Sequence, residues 1–179
     1  MATKTAVIFK SKYGSTRKYA QWIAADLQAD LFAADKIKVR DLAPYQTIVY
    51  GGYLYAGSIA GIKLLTKNMG KLRGKRIVIF VVGVAKESSE NKKHFILKNI
   101  PKEYWKNVVV FYLRGAFNFK RLGFIDKLMI YTLQKKLEHM DSEKLDEDSR
   151  EFLEACKEPK DWTDLSEIGP LSSYVKNNQ

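Results

Sequence analysis

The sequence has few of the residues that build metal centres and covalent cross-links. Its 179 residues include one cysteine, Cys156, and two histidines, His94 and His139. A single cysteine excludes an internal disulfide and a cysteine-based metal site, and two histidines are too few to suggest a histidine-based one. We therefore expect no metal site, a reducing compartment and a cytoplasmic location.

Long hydrophobic runs and acidic residues are also scarce. No apolar run approaches the roughly 20 residues that a membrane-spanning helix needs. The N-terminus leads directly into a strand pattern, so we expect no secretory signal. There are 31 Lys and Arg residues against 20 Asp and Glu, which gives a formal net charge of +11. Such a charge favours nucleic acid, anionic lipid or acidic partners, or serves solubility alone.

What the sequence does contain is an alternation of strand and helix patterns. Strands are predicted at 5–9, 29–33, 47–52, 77–82 and 108–113, and helices at 15–28, 59–72, 92–99 and 120–140. The uninterrupted apolar runs at 77–82 and 108–113 are typical of strands buried on both faces of a parallel sheet. The alternation predicts an α/β sheet covered on both faces, with ligands bound beyond the carboxyl ends of the strands.

The first strand ends in a turn that is rich in hydroxyl groups. Ser11, Ser15 and Thr16 lie within six positions, with Gly14 among them, and a helical pattern follows at once. Free N–H groups at a helix start bind phosphate, and a glycine lets the backbone approach it closely. The turn lacks the Gly-x-x-x-x-Gly-Lys and Gly-x-Gly-x-x-Gly spacings, which favours a single terminal phosphate. The alternative is that the hydroxyls are ordinary helix N-caps.

Two further strands end in segments of complementary chemistry. After residues 47–52, the predicted loop Tyr53-Leu54-Tyr55-Ala56-Gly57 offers flat tyrosine surfaces to an aromatic ring. After residues 77–82, Gly83-Val84-Ala85-Lys86 offers backbone groups to the polar edge of a heterocycle. A backbone donor there, or Lys86, would stabilise an anionic ring. Three such loops at one sheet edge favour a phosphorylated heterocycle as the ligand.

These motifs resemble the flavodoxin family. Ser11-Lys12-Tyr13-Gly14-Ser15-Thr16 after a strand looks like the FMN phosphate loop of flavodoxins, whose ring-binding loops follow the third and fourth strands. Within that family the sequence is most similar to the menaquinone-dependent protoporphyrinogen dehydrogenase group. The likeness rests on the segments 11–16, 51–57, 114–117, 124–130 and Asp161-Trp162.

The resemblance implies a fold, a cofactor and an activity. The fold would be a flavodoxin-like, doubly wound, five-stranded parallel sheet in the order 2-1-3-4-5, with helices on both faces. One domain would span residues 1–179, with a helical insertion at about 116–160 before the last helix. FMN would bind through Ser11, Lys12, Tyr13, Gly14, Ser15, Thr16, Tyr53, Leu54, Tyr55, Ala56, Gly57, Gly83, Val84, Ala85 and Lys86.

The implied activity is that of an FMN-dependent oxidoreductase. Its substrate would be sizeable, with a porphyrinogen such as protoporphyrinogen as the candidate, and its electrons would pass to a quinone or another redox partner. No Ser/His/Asp set or carboxylate pair lies near the predicted loops, so the chemistry belongs to the flavin. One alternative is an electron-transfer protein without its own substrate, and another is a non-catalytic flavin-fold protein that uses its basic surface for binding.

The helical pattern at 120–140 is both basic and amphipathic. Its apolar stripe is Leu122, Ile125, Met129, Leu133 and Leu137, widened by Phe124, Leu128 and Tyr131, and its charges are Lys120, Arg121, Lys127, Lys135 and Lys136. Such a helix can lie on an anionic membrane surface, here at the inner face of the membrane, or cover a partner. The favoured interpretation is that the stripe packs on the core of the domain.

Charge is segregated elsewhere along the chain as well. A second basic set, Lys63, Lys67, Lys71, Arg73, Lys75 and Arg76, is expected to be an exposed face, or else a contact for anionic headgroups or substrate propionates. The acidic stretch 141–160 is expected to be solvated or to screen the basic helix. Because the aromatic residues fall mostly in strands and ring-binding loops, nucleic acid is not expected as a partner. The last helix, which Asp161-Trp162 would open, should break at Gly169-Pro170.

Overall fold

Parallel strands form the centre of the fold in the computed structural model, which describes residues 4–86 and 98–178. The parallel strands are β1 (Thr5–Lys10), β2 (Asp30–Ala33), β3 (Thr47–Tyr55), β5 (Arg76–Gly83) and β6 (Val108–Arg114). Within the described ranges they lie in the order β2-β1-β3-β5-β6, which is 2-1-3-4-5 when only parallel strands are counted. This confirms the predicted doubly wound sheet.

Each face of the sheet carries its own core, because alternate strand residues point to opposite faces. On one face Val7, Val49 and Val78 pack with α1 (Ser15–Asp26) and α5 (Gly169–Asn177). On the other face Ile8, Ile48, Tyr50 and Ile79 pack against the segments 37–45 and 59–72, the second of which contains the short helix α2 (Lys63–Thr66). Both cores are nearly free of solvent, so the sheet is a rigid platform for the loops at its carboxyl edge.

The predicted loop at 53–57 is wrong in part, because β3 continues through Tyr55. The chain then turns back through Ala56 and Gly57, whose φ angles are 47° and 73°, into β4 (Ser58–Ile59). Two consecutive residues with positive φ are typical of a type I′ hairpin turn. The aromatic run Tyr-Leu-Tyr has high strand propensity, so it extends the strand beyond the parallel sheet.

The helix predicted at 59–72 forms only in fragments. The chain has α2 and a 3-10 turn at Met69–Leu72, and Gly61 takes a φ of 73° before α2 begins. Ile62, Leu65 and Met69 nevertheless face the core, as their spacing predicts. The helix predicted at 92–99 lies outside the described residues except for its last two positions.

Two helices lie between β6 and α5, as the predicted insertion requires. They are α3 (Phe124–Glu138) and α4 (Glu147–Lys157). A small antiparallel pair, β7 (Ala116–Phe117) and β8 (Lys160–Asp161), joins the two ends of this region. The last helix does not open at Asp161, which lies in β8. It begins at Gly169 with Pro170 in its first turn, so the predicted break is correct.

Candidate functional site

A cavity of about 420 Å³ opens at the carboxyl edge of the sheet. The three predicted loops converge on it and contribute Ser11, Lys12, Tyr13, Ser15, Thr16, Tyr53, Leu54, Tyr55, Gly83 and Val84. Gly115, Ala116, Phe117 and Asn118 after β6 complete the sheet side, and Arg121, Leu122, Asp126, Met129 and Ile130 form the opposite wall. The volume lies in the range of roughly 300–1,000 Å³ that is usual for small-molecule and cofactor sites.

Five of the predicted site residues do not line this cavity: Gly14, Ala56, Gly57, Ala85 and Lys86. Gly14 instead starts α1, and Ala56 and Gly57 form the hairpin turn after β3. The ammonium group of Lys86 lies 2.8 Å from a carboxylate oxygen of Glu147 and 3.6 Å from one of Glu151. Its pKa is raised, first by the hydrogen bond to Glu147, so its charge serves an ion pair.

The start of α1 leaves its donors free for an anion. Gly14 is the N-cap residue, with a φ of 106°, and no side chain caps the helix. The N–H of Lys18 is the first to bond back to Gly14, so the N–H groups of the three preceding residues have no partner within the helix. The N-cap alternative is therefore wrong.

The serine hydroxyls of this loop accept hydrogen bonds from backbone N–H groups, and their own O–H groups remain available as donors. Ser11 Oγ accepts the Gly14 N–H at 3.2 Å, and Ser15 Oγ accepts the Ala116 N–H at 2.9 Å. A hydroxyl that accepts a hydrogen bond can still donate one. The loop thus offers hydroxyl and backbone donors at a helix N-terminus, which is the chemistry that a phosphate requires.

Tyrosine rings form another part of the cavity lining. The rings of Tyr53 and Tyr55 lie edge to face, 6.5 Å apart, at the end of β3. The ammonium group of Lys12 lies 5.2 Å from the ring centre of Tyr55 and 5.4 Å from that of Tyr13. The wall therefore combines flat apolar surface with one cation at its mouth.

A buried carboxylate joins the loop at residues 11–16 to α3. Asp126 is 5% exposed, and its Oδ2 lies 2.6 Å from Lys12 Nζ and 2.5 Å from the Tyr13 hydroxyl. The Gly123 N–H donates to the same hydroxyl at 3.0 Å. Burial alone would raise the pKa of Asp126, but the hydrogen bonds from Lys12 and Tyr13 outweigh it and hold that pKa below its ordinary value. Asp126 is thus an ionised side chain in the cavity wall.

A second carboxylate, that of Glu151, binds at the carboxyl end of β6. Glu151 of α4 accepts from both terminal nitrogens of Arg114 and from the indole N–H of Trp162. The guanidinium of Arg114 stacks on Trp162, 4.1 Å from the ring centre, and Arg114 Nε donates to the carbonyl of Val84. Within the acidic stretch, Glu147 and Glu151 pair with Lys86 and Arg114, which lie outside the basic helix.

The outer face of α3 is apolar and exposed, contrary to the favoured prediction. Phe124, Ile125, Leu128 and Tyr131 are 84%, 72%, 58% and 50% exposed. The spacing of the stripe is helical, but Asp126 lies between its members and turns inward to meet Lys12. Since a helix has one inward side, these apolar residues face outward. In the second basic set, Lys63, Lys67, Lys71 and Arg73 are exposed as expected. Lys75 donates to the carbonyls of Ala43 and Tyr45, and Arg76 donates to the hydroxyl of Thr47.

Residues 6–144 match the family model of the flavodoxin domain. The chain belongs to this family. A comparison with curated proteins gave no match.

Several solved structures resemble this flavodoxin-family chain. A flavoprotein in complex with FMN from Lactobacillus acidophilus NCFM is 19% identical, with 63% of this chain and 93% of that chain covered and a TM-score of 0.44. The two-electron reduced flavodoxin of Megasphaera elsdenii is 16% identical, covering 60% and 84%, with a TM-score of 0.45. Oxidised Flavodoxin 2 from Bacillus cereus is 14% identical, covering 86% and 95%, with a TM-score of 0.43.

The residues of the cavity fit the flavin mononucleotide that the family implies. The free donors at the start of α1 match a phosphate, and the tyrosine wall matches a flat ring system. Gly115 keeps the two sides close: a Cβ there would lie 2.8 Å from Val82 Cγ1 and 3.3 Å from Ser15 Oγ. The site is therefore shaped for a ligand with one anionic end and one aromatic end.

Sequence reasoning missed the wall made by residues 115–130. Two signals could have found it. The first is that β6 runs parallel to β5, so the residues after β6 lie at the same carboxyl edge of the sheet as the three predicted loops. Asp126 also falls on the helical spacing of Leu122, Met129 and Ile130, and a carboxylate on such a face needs a partner.

Proposed function

We propose that this flavodoxin-family protein is an FMN-dependent oxidoreductase that oxidises a bound organic substrate and passes the electrons to a quinone or another redox partner. The observation that supports it is the cavity, in which phosphate donors, tyrosine rings and a wall from α3 meet. A flavin supplies the electron-transfer chemistry, and the protein supplies binding and orientation.

Each side of the cavity has its own task in this proposal. The α1 N–H groups and the hydroxyls of Ser11, Ser15 and Thr16 hold the phosphate. Tyr53 and Tyr55 flank the isoalloxazine ring. The backbone of residues 82–84 bonds its polar edge. Phe117, which is buried, helps to exclude water from the ring.

The α3 wall supports a substrate of its own over a pure carrier function. Leu122, Met129 and Ile130 add apolar surface that the three sheet loops do not provide, and Arg121 adds a cation. A flat, largely apolar substrate with carboxylates matches that combination. We infer protoporphyrinogen as the candidate, on the resemblance of the sequence motifs, with its propionates near Arg121.

The competing function is electron transfer without a substrate. Its support is that Tyr13 and Tyr55 at the mouth are 46% and 36% exposed, so a partner could reach the ring. Reduction and reoxidation of the bound flavin by other redox proteins, without porphyrinogen oxidation, would favour it.

One experiment tests the proposal directly. Purified protein is loaded with FMN, and its visible spectrum and dissociation constant are measured. Protoporphyrinogen is then added anaerobically, first alone and afterwards with a quinone. We expect tight FMN binding, bleaching of the flavin by the porphyrinogen, and porphyrin fluorescence that depends on the quinone. Failure to bind FMN would refute the cofactor assignment, and FMN binding without bleaching would refute the substrate.

We also propose that the outer face of α3 contacts an anionic membrane, where a quinone would be available. No helix in the described parts of the chain is long and apolar enough to cross a bilayer. The outward apolar residues Phe124, Ile125 and Leu128 adjoin the cations Lys120 and Lys127, which is the composition of an interfacial helix.

Liposome flotation tests this contact. Leu128→Ser should weaken binding to vesicles that contain phosphatidylglycerol, because it removes apolar area that would insert. Leu165→Ser is the matched control, since Leu165 is 57% exposed and Leu128 is 58% exposed. Equal flotation of both variants and the wild type would reject the membrane contact at α3.

A further inference from the structure

Helix α3 is held to the sheet domain by a charged residue more than by apolar packing. Asp126 is the buried residue of α3, whereas its neighbours Phe124 and Ile125 are 84% and 72% exposed. Elsewhere in the described chain, α1 and α5 bury apolar stripes. The attachment of α3 therefore depends on what Asp126 binds.

Two side-chain partners of Asp126 come from the proposed phosphate loop, and a weaker hydrogen bond comes from Tyr55 at the end of β3. Lys12 Nζ lies 2.6 Å from Oδ2, and the Tyr13 hydroxyl donates to the same atom. Lys12 is adjacent to Ser11, whose hydroxyl is one of the proposed phosphate donors. Lys12, which lines the cavity beside the proposed phosphate donors, is thus already paired with a carboxylate.

We infer that Asp126 is a positioning residue through which docking of α3 and binding of the flavin phosphate oppose each other. This inference rests on the proposed function. A phosphate dianion at the start of α1 attracts Lys12 and repels the Asp126 carboxylate, and both effects weaken the contact that holds α3. By linkage, docked α3 lowers the affinity for the phosphate by the same factor.

The sign of the effect distinguishes this role from a structural one. If Asp126 only maintained the shape of the cavity, its substitution would weaken every flavin ligand. In the competition inferred here, Asp126→Asn frees Lys12 and removes a negative charge, so FMN binds more tightly. Riboflavin shares the ring but has no phosphate, and its affinity stays unchanged.

The test compares dissociation constants of FMN and riboflavin for the wild type and Asp126→Asn. We expect FMN to bind more tightly to the variant by about fivefold or more, the lower end of usual coupling between two sites, and riboflavin to bind equally. Equal changes for both ligands, or weaker FMN binding, would overturn the inference. If neither ligand binds the wild type, the proposed function fails instead.

Lys12→Met provides the second arm. In that background, the additional change Asp126→Asn should alter FMN affinity by a much smaller factor, because the shared lysine is gone. Additive effects of the two substitutions would contradict the competition for Lys12.

A third measurement needs no flavin. Hydrogen exchange of residues 124–138 is followed in the wild type with inorganic phosphate and with sodium chloride at equal ionic strength. Phosphate should raise exchange in α3 of the wild type and leave Lys12→Met unchanged. Identical exchange in phosphate and chloride would count against the coupling.

Discussion

Arg114 and Glu151 form a two-point ion pair, with Nη1 3.2 Å from Oε1 and Nη2 2.8 Å from Oε2. The pair joins the end of β6 to α4 and is mostly shielded from solvent, since the two side chains are 18% and 26% exposed. Bidentate pairing of this kind is directional as well as strong. It fixes α4 beside the loop that follows β5.

Removal of this pair should destabilise the protein. Glu151→Ala leaves the partly buried guanidinium of Arg114 with only the weaker carboxylate contact to Asp148 Oδ1 at 3.8 Å. We expect the free energy of unfolding to fall by about 1.5–3 kcal/mol. Urea unfolding measures the change. Glu154→Ala, an exposed position on the same helix, is the control and should change stability by less than about 0.5 kcal/mol. Equal decreases in the free energy of unfolding for both variants would mean that the ion pair does not stabilise the protein.

The same pair should give stability a pH dependence. The hydrogen bond from Arg114 lowers the pKa of Glu151 below its ordinary value of 4.5. Between the lowered and the ordinary pKa the unfolded chain binds more protons, so stability rises with pH there. The stability gap between the wild type and Glu151→Gln should be constant at neutral pH and shrink as the pH falls below 4.5. Unfolding free energies at several pH values, at fixed ionic strength, measure it, and a gap that widens in acid would contradict the sign.

Gly14 should be needed for the backbone conformation of the phosphate loop. Its φ is 106°, and a Cβ there would meet no atom within 4 Å, so Gly14→Ala introduces strain without a clash. We expect a loss of about 1–2 kcal/mol in unfolding free energy, together with a loss of FMN affinity that exceeds the loss for riboflavin. Gly70→Ala is the matched control, because its Cβ also meets nothing within 4 Å and its φ is not positive. If Gly14→Ala were stable and bound FMN with normal affinity, the assignment of the phosphate to this loop would be wrong.

Gly115 should be needed because no larger side chain fits between Val82 and Ser15. In Gly115→Ala the new methyl group would lie 2.8 Å from Val82 Cγ1 and 3.3 Å from Ser15 Cβ, so the two sides of the cavity must move apart. We expect weaker binding of both FMN and riboflavin, since the ring side and the phosphate side are displaced together. Titration by flavin fluorescence, again beside Gly70→Ala, checks this. Retention of both affinities would show that the cavity tolerates the displacement.

The sheet could be predicted from the sequence because its signals are local. Apolar runs such as Ile77–Val82 mark buried strands wherever they occur, and the order of the strands followed from the family resemblance. The end of β3 could not be placed the same way. Tyr53 and Tyr55 have strand propensity, but the Ala56–Gly57 turn decides that they extend a strand, and Ala rarely takes positive φ.

The wall from α3 could not be predicted because its orientation depends on a long-range pair. The helical spacing identifies apolar positions, yet it cannot say which side faces the domain when apolar residues occur on more than one side of the helix. Asp126 and Lys12 are 114 positions apart in the chain, and their contact makes that choice. The half-buried position of Ile130 at the cavity and the exposure of Ile125 follow from it.

The short ladder between β7 and β8 has a consequence for engineering of this chain. Ala116 pairs with Asp161 and Phe117 with Lys160, so the polypeptide leaves the sheet domain and returns to it at neighbouring positions. Adjacent antiparallel strands can be closed by a two-residue turn. Replacement of residues 118–159 by an Asn-Gly turn should therefore yield a shortened protein that keeps both cores. Comparison of its flavin binding with that of the full chain would measure what α3 and α4 contribute.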